Sequence, residues 1–167
     1  MIDRPEEVPK KLFHVTRLED LPEVLENGLD PERSASRSKA VYLAVAWDVA
    51  ENYLGFDASK AFAMIEIDGS ALDETALQPD DYELPDLWEE LPEERFEELG
   101  LDPENDWDRE CDWRDSVAIC GQVAYEGRVP PEAMRVVAYL RGWDQSMDAF
   151  REEAEGCRPD APMAPTT

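Results

Sequence analysis

One histidine, three cysteines and four lysines are all that 167 residues contain of these types. A single histidine excludes a metal centre built from several imidazoles. Cys111, Cys120 and Cys157 fall at spacings that match no zinc motif, so no metal site is expected. Their odd number also fits free thiols in a reducing cytoplasm. No apolar run approaches the roughly 20 residues of a membrane-spanning helix. Met1-Ile2-Asp3-Arg4-Pro5 opens without the basic and apolar regions of a secretory signal. A cytoplasmic protein with no membrane partner is expected. Positive charge is scarce too: 16 Lys and Arg stand against 41 Asp and Glu, a formal net charge of −25. Free nucleic acid is not an expected partner except at high salt, because phosphate binding needs clustered Lys and Arg.

What is present is acid, spread through nearly the whole chain, with Lys only at positions 10, 11, 39 and 60. That spread is expected of a halophilic protein, in which charge acts on solubility rather than fold. A DNA mimic would instead gather carboxylates on one face, and a basic protein partner would select a local patch. The hydrophobic fraction of 43% supports a globular body, and the length predicts one domain over 1–157 with a disordered Pro-rich tail over 158–167.

Residues 11–15 read as a first strand. Leu18, Leu21, Val24 and Leu25 recur at helical spacing, and Gly28 stands where a helix end wants a positive φ. A polar loop over 30–39 carries Arg33, Arg37 and Lys39. Val41–Val45 predicts a short strand, Trp47–Leu54 a short helix, and Ala61–Ile67 a buried strand ending at Asp68-Gly69. Residues 79–115 hold about seventeen Asp or Glu against three Arg, yet also Trp88, Trp107 and Trp113 with several leucines. Pure disorder would lack such anchors. An ordered acidic insertion is expected, with one or two short helices packed through its tryptophans. Val117–Cys120 and Gln122–Tyr125 return to strand composition, split by Gly121. A turn and short helical segment over 127–132 lead to a last strand, Met134–Leu140, and Gln145–Glu155 reads as a polar helix. The fold class expected is α+β, a split mixed or antiparallel β-sheet with short helices clustered early.

Leu12-Phe13-His14-Val15-Thr16, a helix, Gly28-Leu29, a loop, Val41-Tyr42-Leu43-Ala44, a helix, and Ala50-Glu51-Asn52-Tyr53 form an ordered set. That set resembles the NAD-binding half of the ADP-ribosyltransferase superfamily, in its His-Tyr-Glu branch of diphtheria toxin and the poly(ADP-ribose) polymerase catalytic domain. The resemblance covers 11–67 well and 117–140 loosely. It implies an ADP-ribosyltransferase-like split sheet. It also implies NAD as substrate, with His14, Val15 and Thr16 at the adenosine-proximal ribose and Tyr42 and Tyr53 clamping nicotinamide. Arg37 and Lys39 could meet the pyrophosphate, since Arg presents a fork matched to phosphate oxygens. As bland alternatives, His14 is a satisfied structural residue, the tyrosines are core aromatics, and the basic pair is a solvated cluster.

The branch's catalytic Glu falls on Gln122 in Gln122-Val123-Ala124-Tyr125-Glu126-Gly127. Glutamine can hydrogen-bond a ribose 2′-hydroxyl but carries no charge for an oxocarbenium-like transition state. Glu126, on the same sheet face by alternation, is a distant substitute. The resemblance therefore implies mono-ADP-ribosyl transfer to an unidentified acceptor, a protein among the candidates, with His14, Tyr42 and Gln122 in the catalytic roles. One rival is a non-catalytic acidic module or DNA mimic on a degenerate transferase fold. Another is an RNA 2′-phosphotransferase-like enzyme, which would ordinarily need more basic residues.

Overall fold

The computed structural model describes residues 2–34, 39–54 and 57–142. Arg37, Cys157, the expected helix over 145–155 and the tail from 158 lie outside the described residues. Six strands form one sheet: β1 (Lys11–Arg17), β2 (Val41–Ala44), β3 (Ala61–Asp68), β4 (Leu77–Pro79), β5 (Gln122–Tyr125) and β6 (Met134–Arg141). Their order is β4-β5-β2-β1-β3-β6, and every registered pair is antiparallel. The architecture is thus α+β, and among the described residues the sheet is antiparallel throughout, one of the two arrangements expected.

Alternation along the strands builds two cores. Leu12, Leu43, Ile65, Ile67 and Val123 point to one face. There they meet α1 (Leu21–Asn27) through Leu21 and α6 (Trp113–Cys120) through Trp113 and Val117. Ala44, Phe62, Met64, Ala138 and Leu140 point to the other, under Trp47 and Ala50 of α2 (Trp47–Glu51) and under Leu54 beyond it. A third cluster lies within the acidic segment. Leu84 and Trp88 of α3 (Leu84–Glu90), Phe96 of α4 (Glu93–Leu99) and Cys111 pack together, the two rings edge-on at 4.7 Å. A short α5 (Trp107–Glu110) follows. Three helices thus lie wholly inside 79–115, where one or two were expected, so among the described residues helix is concentrated late rather than early.

Val117–Cys120, expected as a strand, is the second half of α6. Asp112 accepts hydrogen bonds from the Arg114 and Asp115 amides, and the Asp115 side chain accepts one from the Asp112 amide. This reciprocal cap starts a helix that Gly121 ends at φ +75°. Arg4 ties the N-terminal segment to the cap, its Nε 2.8 Å from Asp115 and its Nη2 3.1 Å from Asp112. Asp112→Ala should cost about 1–2 kcal/mol. A lowered denaturation midpoint at unchanged slope would show it, and an unmoved midpoint would deny the cap its role.

Candidate functional site

β1 registers with β3 at seven Cα pairs, but with β2 at one only, Phe13↔Ala44. Beyond it the join is made by a side chain. His14 Nδ1 lies 2.8 Å from the Tyr42 carbonyl oxygen. A carbonyl only accepts, so Nδ1 carries the hydrogen and Nε2 is left as an acceptor. Burial lowers the imidazole pKa, with the Tyr42 carbonyl working the other way, so the ring is neutral at pH 7. His14 here is a fixed-tautomer hydrogen-bonding group rather than a titrating one.

Two cavities share the residues of this join. The first, about 300 Å³, is lined by His14 and Tyr42 with Thr16, Leu29, Arg33 and Val41. The second, about 250 Å³, is lined by His14 and Tyr42 with Phe13, Val15, Tyr53 and Phe62. Phe13, Val15 and Phe62 belong to one pleat face, Thr16 and Val41 to the other. The gap between β1 and β2 therefore lets the same two residues border spaces associated with opposite faces.

The tyrosines come from different elements and are both held by their hydroxyls. Tyr42, on β2, donates to Asp81 Oδ1 at 2.6 Å. Tyr53, in the turn after α2, donates to Gln122 Oε1. Tyr53 as a whole remains 37% exposed. Burial of the phenol end raises the Tyr53 pKa, followed by the charges of Asp80 and Glu83, so it stays protonated at neutral pH. Gln122 opens β5 opposite Ala44, is 3% exposed, and is anchored through its carbonyl by the Ser116 hydroxyl at 2.6 Å. His14, Thr16, Tyr42, Tyr53 and Gln122 are thus brought to one region from four segments.

Other expected residues fare differently. Lys39 Nζ donates to the Ser34 carbonyl at 3.0 Å and borders neither cavity. Arg33, from the same loop, lines the first cavity and pairs with Glu23. Glu126 lies apart from Gln122, in a third cavity of about 240 Å³ with Asp81, Trp107 and Asp108.

Sequence reasoning missed Asp80 and Asp81 altogether. They follow β4, an edge strand it also missed, and carry the acidic segment to the tyrosines. Asp80 is 0% exposed, and its Oδ1 accepts from the Tyr82 and Glu83 amides at 2.8 and 3.0 Å. Cys111 and Cys120 are free thiols, each pushed up to about 12 chiefly by burial, and so are poor nucleophiles. Among the described residues no cluster of three or more His, Cys, Asp or Glu is arranged to hold a metal, and no helix is long and apolar enough to cross a membrane. No protein-family model matches the chain, and no curated protein matches it.

Proposed function

We propose that the protein is an NAD-dependent mono-ADP-ribosyltransferase-like enzyme. The observation that carries the reading is that two cavities share His14 and Tyr42 as lining residues, with Tyr53 lining the second. An extended dinucleotide needs more space than one ring pocket, and a nicotinamide ring needs aromatic faces with polar groups to orient it. In this reading His14 Nε2 accepts from a ribose hydroxyl, aided by Val15 and Thr16. Tyr42 and Tyr53 clamp nicotinamide, their rings held by Asp81 and Gln122, and Gln122 addresses the 2′-hydroxyl. Arg33, which lines the first cavity, joins Lys39 as a candidate cation for the phosphates. Bond cleavage at the nicotinamide-bearing carbon develops positive charge there, which neighbouring carboxylates stabilise. The acceptor is chosen by loops around this cleft.

His14→Ala and Tyr42→Ala should each weaken NAD binding by about five- to tenfold, since one ring contact or one buried hydrogen bond is each worth about 1–1.5 kcal/mol. Calorimetric titration at high salt measures this, with far-ultraviolet dichroism confirming the fold. Unchanged affinity in both variants would sink the assignment. Nicotinamide release by wild type and Gln122→Glu then tests turnover, and Gln122→Glu should be the faster.

The non-catalytic reading has its own observation. Asp81, Asp108 and Glu126 surround the third cavity beside Trp107, as a docking site for a basic partner would require. It is favoured if NAD does not bind and a polybasic peptide binds with an affinity that falls steeply with salt.

A further inference from the structure

Two acceptors crowd one phenol. The Asp80 carboxylate lies close enough to Tyr53 for the phenol to favour its ionised form, yet Asp80 Oδ2 is buried without a hydrogen-bond partner. Tyr53 has a single proton, and it goes to Gln122 Oε1. An orphaned buried carboxylate oxygen is costly to leave unsatisfied, so the arrangement needs a resolution. A carboxamide offers one, because its oxygen and nitrogen exchange places when the group flips.

We propose that Asp80 is a positioning residue that sets, through the Tyr53 hydroxyl, which edge of the Gln122 carboxamide faces that hydroxyl and which is turned away from it. With a proton on Asp80, its Oδ2–H donates to the Tyr53 oxygen, Tyr53 donates to Gln122 Oε1, and Gln122 Nε2 is turned outward as a donor. With Asp80 ionised, its proton has gone to solvent and Tyr53 donates to Oδ2 instead. Gln122 flips, its Nε2 donates to the Tyr53 oxygen, and Oε1 is turned outward as an acceptor. Only the second state aims a negative dipole end at the ligand. On the NAD reading above, on which this consequence rests, that is the state suited to a 2′-hydroxyl donor and a developing cation.

The titration belongs to Asp80 by placement. Burial pushes its carboxyl above the usual range, against the Glu83 and Tyr82 amide hydrogen bonds and with the Asp81 charge adding. The groups around it are Asp81 and Glu83 on its own segment, Tyr53 after α2, Tyr42 on β2 and Cys120 on α6. Glu83 is itself raised, by burial and then by Asp80. Tyr53 and Cys120 stay protonated at neutral pH. Since the folded pKa of Asp80 lies above its unfolded value, stability falls as pH rises from the ordinary carboxylate range through the folded value.

The test needs no ligand. Carboxyl carbon spectra, compared between wild type and Asp80→Asn, locate the Asp80 titration. Side-chain amide spectra follow Gln122, one of three glutamines. The expected result is a Gln122 amide signal that moves in one step with the Asp80 midpoint. It should be pinned at its low-pH position in Asp80→Asn, whose amide donates as the protonated acid would. In Tyr53→Phe, Asp80 still titrates but Gln122 no longer follows, and this variant carries the test should Asp80→Asn fold poorly. A pH-independent Gln122 signal in wild type, or one that still tracks Asp80 without the Tyr53 hydroxyl, overturns the proposal. Nicotinamide release should rise severalfold across the same midpoint in wild type and lose that step in Tyr53→Phe. Coupled signals without NAD binding would refute the transferase reading alone; NAD binding without coupled signals would refute the relay alone.

Discussion

Gly28→Ala should cost about 3–5 kcal/mol, a third or more of the stability of an ordinary domain. Gly28 ends α1 at φ +84° and ψ −176°, a region that is essentially glycine's alone. Strain there contributes about 1–3 kcal/mol. A Cβ would also stand 2.1 Å from the Val129 carbonyl oxygen. That carbonyl accepts from the Leu29 amide at 3.0 Å, and the Val129 amide returns a bond to Leu29 at 3.0 Å. Moving Val129 away sacrifices both, at about 1 kcal/mol each. The comparison is Gly100→Ala, at φ +69° but with nothing within 4 Å of the added carbon, which should cost only about 1–2 kcal/mol. Denaturant midpoints at one high salt concentration measure both. Equal losses would show that the contact with Val129, and so the docking of α1 beside the first cavity, contributes nothing.

The same glycine shows what was legible. A helical run of leucines and valines closing at Gly28 needs no tertiary information, and neither does the apolar run over β3. Val117–Cys120 did need it. Four apolar residues satisfy a strand and a buried helix equally, and periodicity cannot arbitrate at that length. The decisive signals were flanking ones, the Asp112-x-x-Asp115 cap and the glycine after Cys120. β4 was hidden by Pro79, which argues against a central strand but is tolerated at the sheet edge where β4 lies.

For the site, ring-bearing residues were legible and carboxylates were not. His14, Tyr42, Tyr53 and Gln122 stand out because each is rare or ends a strand or helix. Asp80 and Asp81 are two of 41 acidic residues, and nothing local separates a carboxylate that will be buried against a phenol from one that will face water. Their position depends on β4 pairing with β5 and on the Ser116 hydroxyl accepting from the Asp80 amide at 2.9 Å, both long-range contacts. Lys39, a loop cation close to the site in sequence, is tied to its own loop through the Ser34 carbonyl.

Transfer from molar potassium chloride to about 10 mM salt is expected to unfold the protein, the acidic segment first. Screening lengths grow from about 3 Å to about 30 Å over that range. Two like charges 10 Å apart then repel by about 0.4 kcal/mol in water. A surplus of 25 negative charges on one chain contains dozens of such pairs, and their sum rivals a total stability of about 5–15 kcal/mol. Compensation is local and thin. Across α3 and α4, seven carboxylates from Asp86 to Glu98 surround Arg95, which pairs with Glu98 at 2.9 Å and spends its Nη2 on the Ile2 and Ala118 carbonyls. Their shared apolar cluster rests chiefly on Leu84, Trp88 and Phe96, a small core to hold against that repulsion. In a variant whose other four tryptophans are replaced by Phe, fluorescence reports Trp88 alone and should lose its folded signal at a higher salt concentration than far-ultraviolet dichroism of the whole chain. Sucrose at matched osmolarity should not substitute for salt. A fold that persists at 10 mM salt would mean the carboxylates are spaced to tolerate one another, and a dedicated acidic face for a basic partner would then displace high-salt adaptation as the cause of the charge.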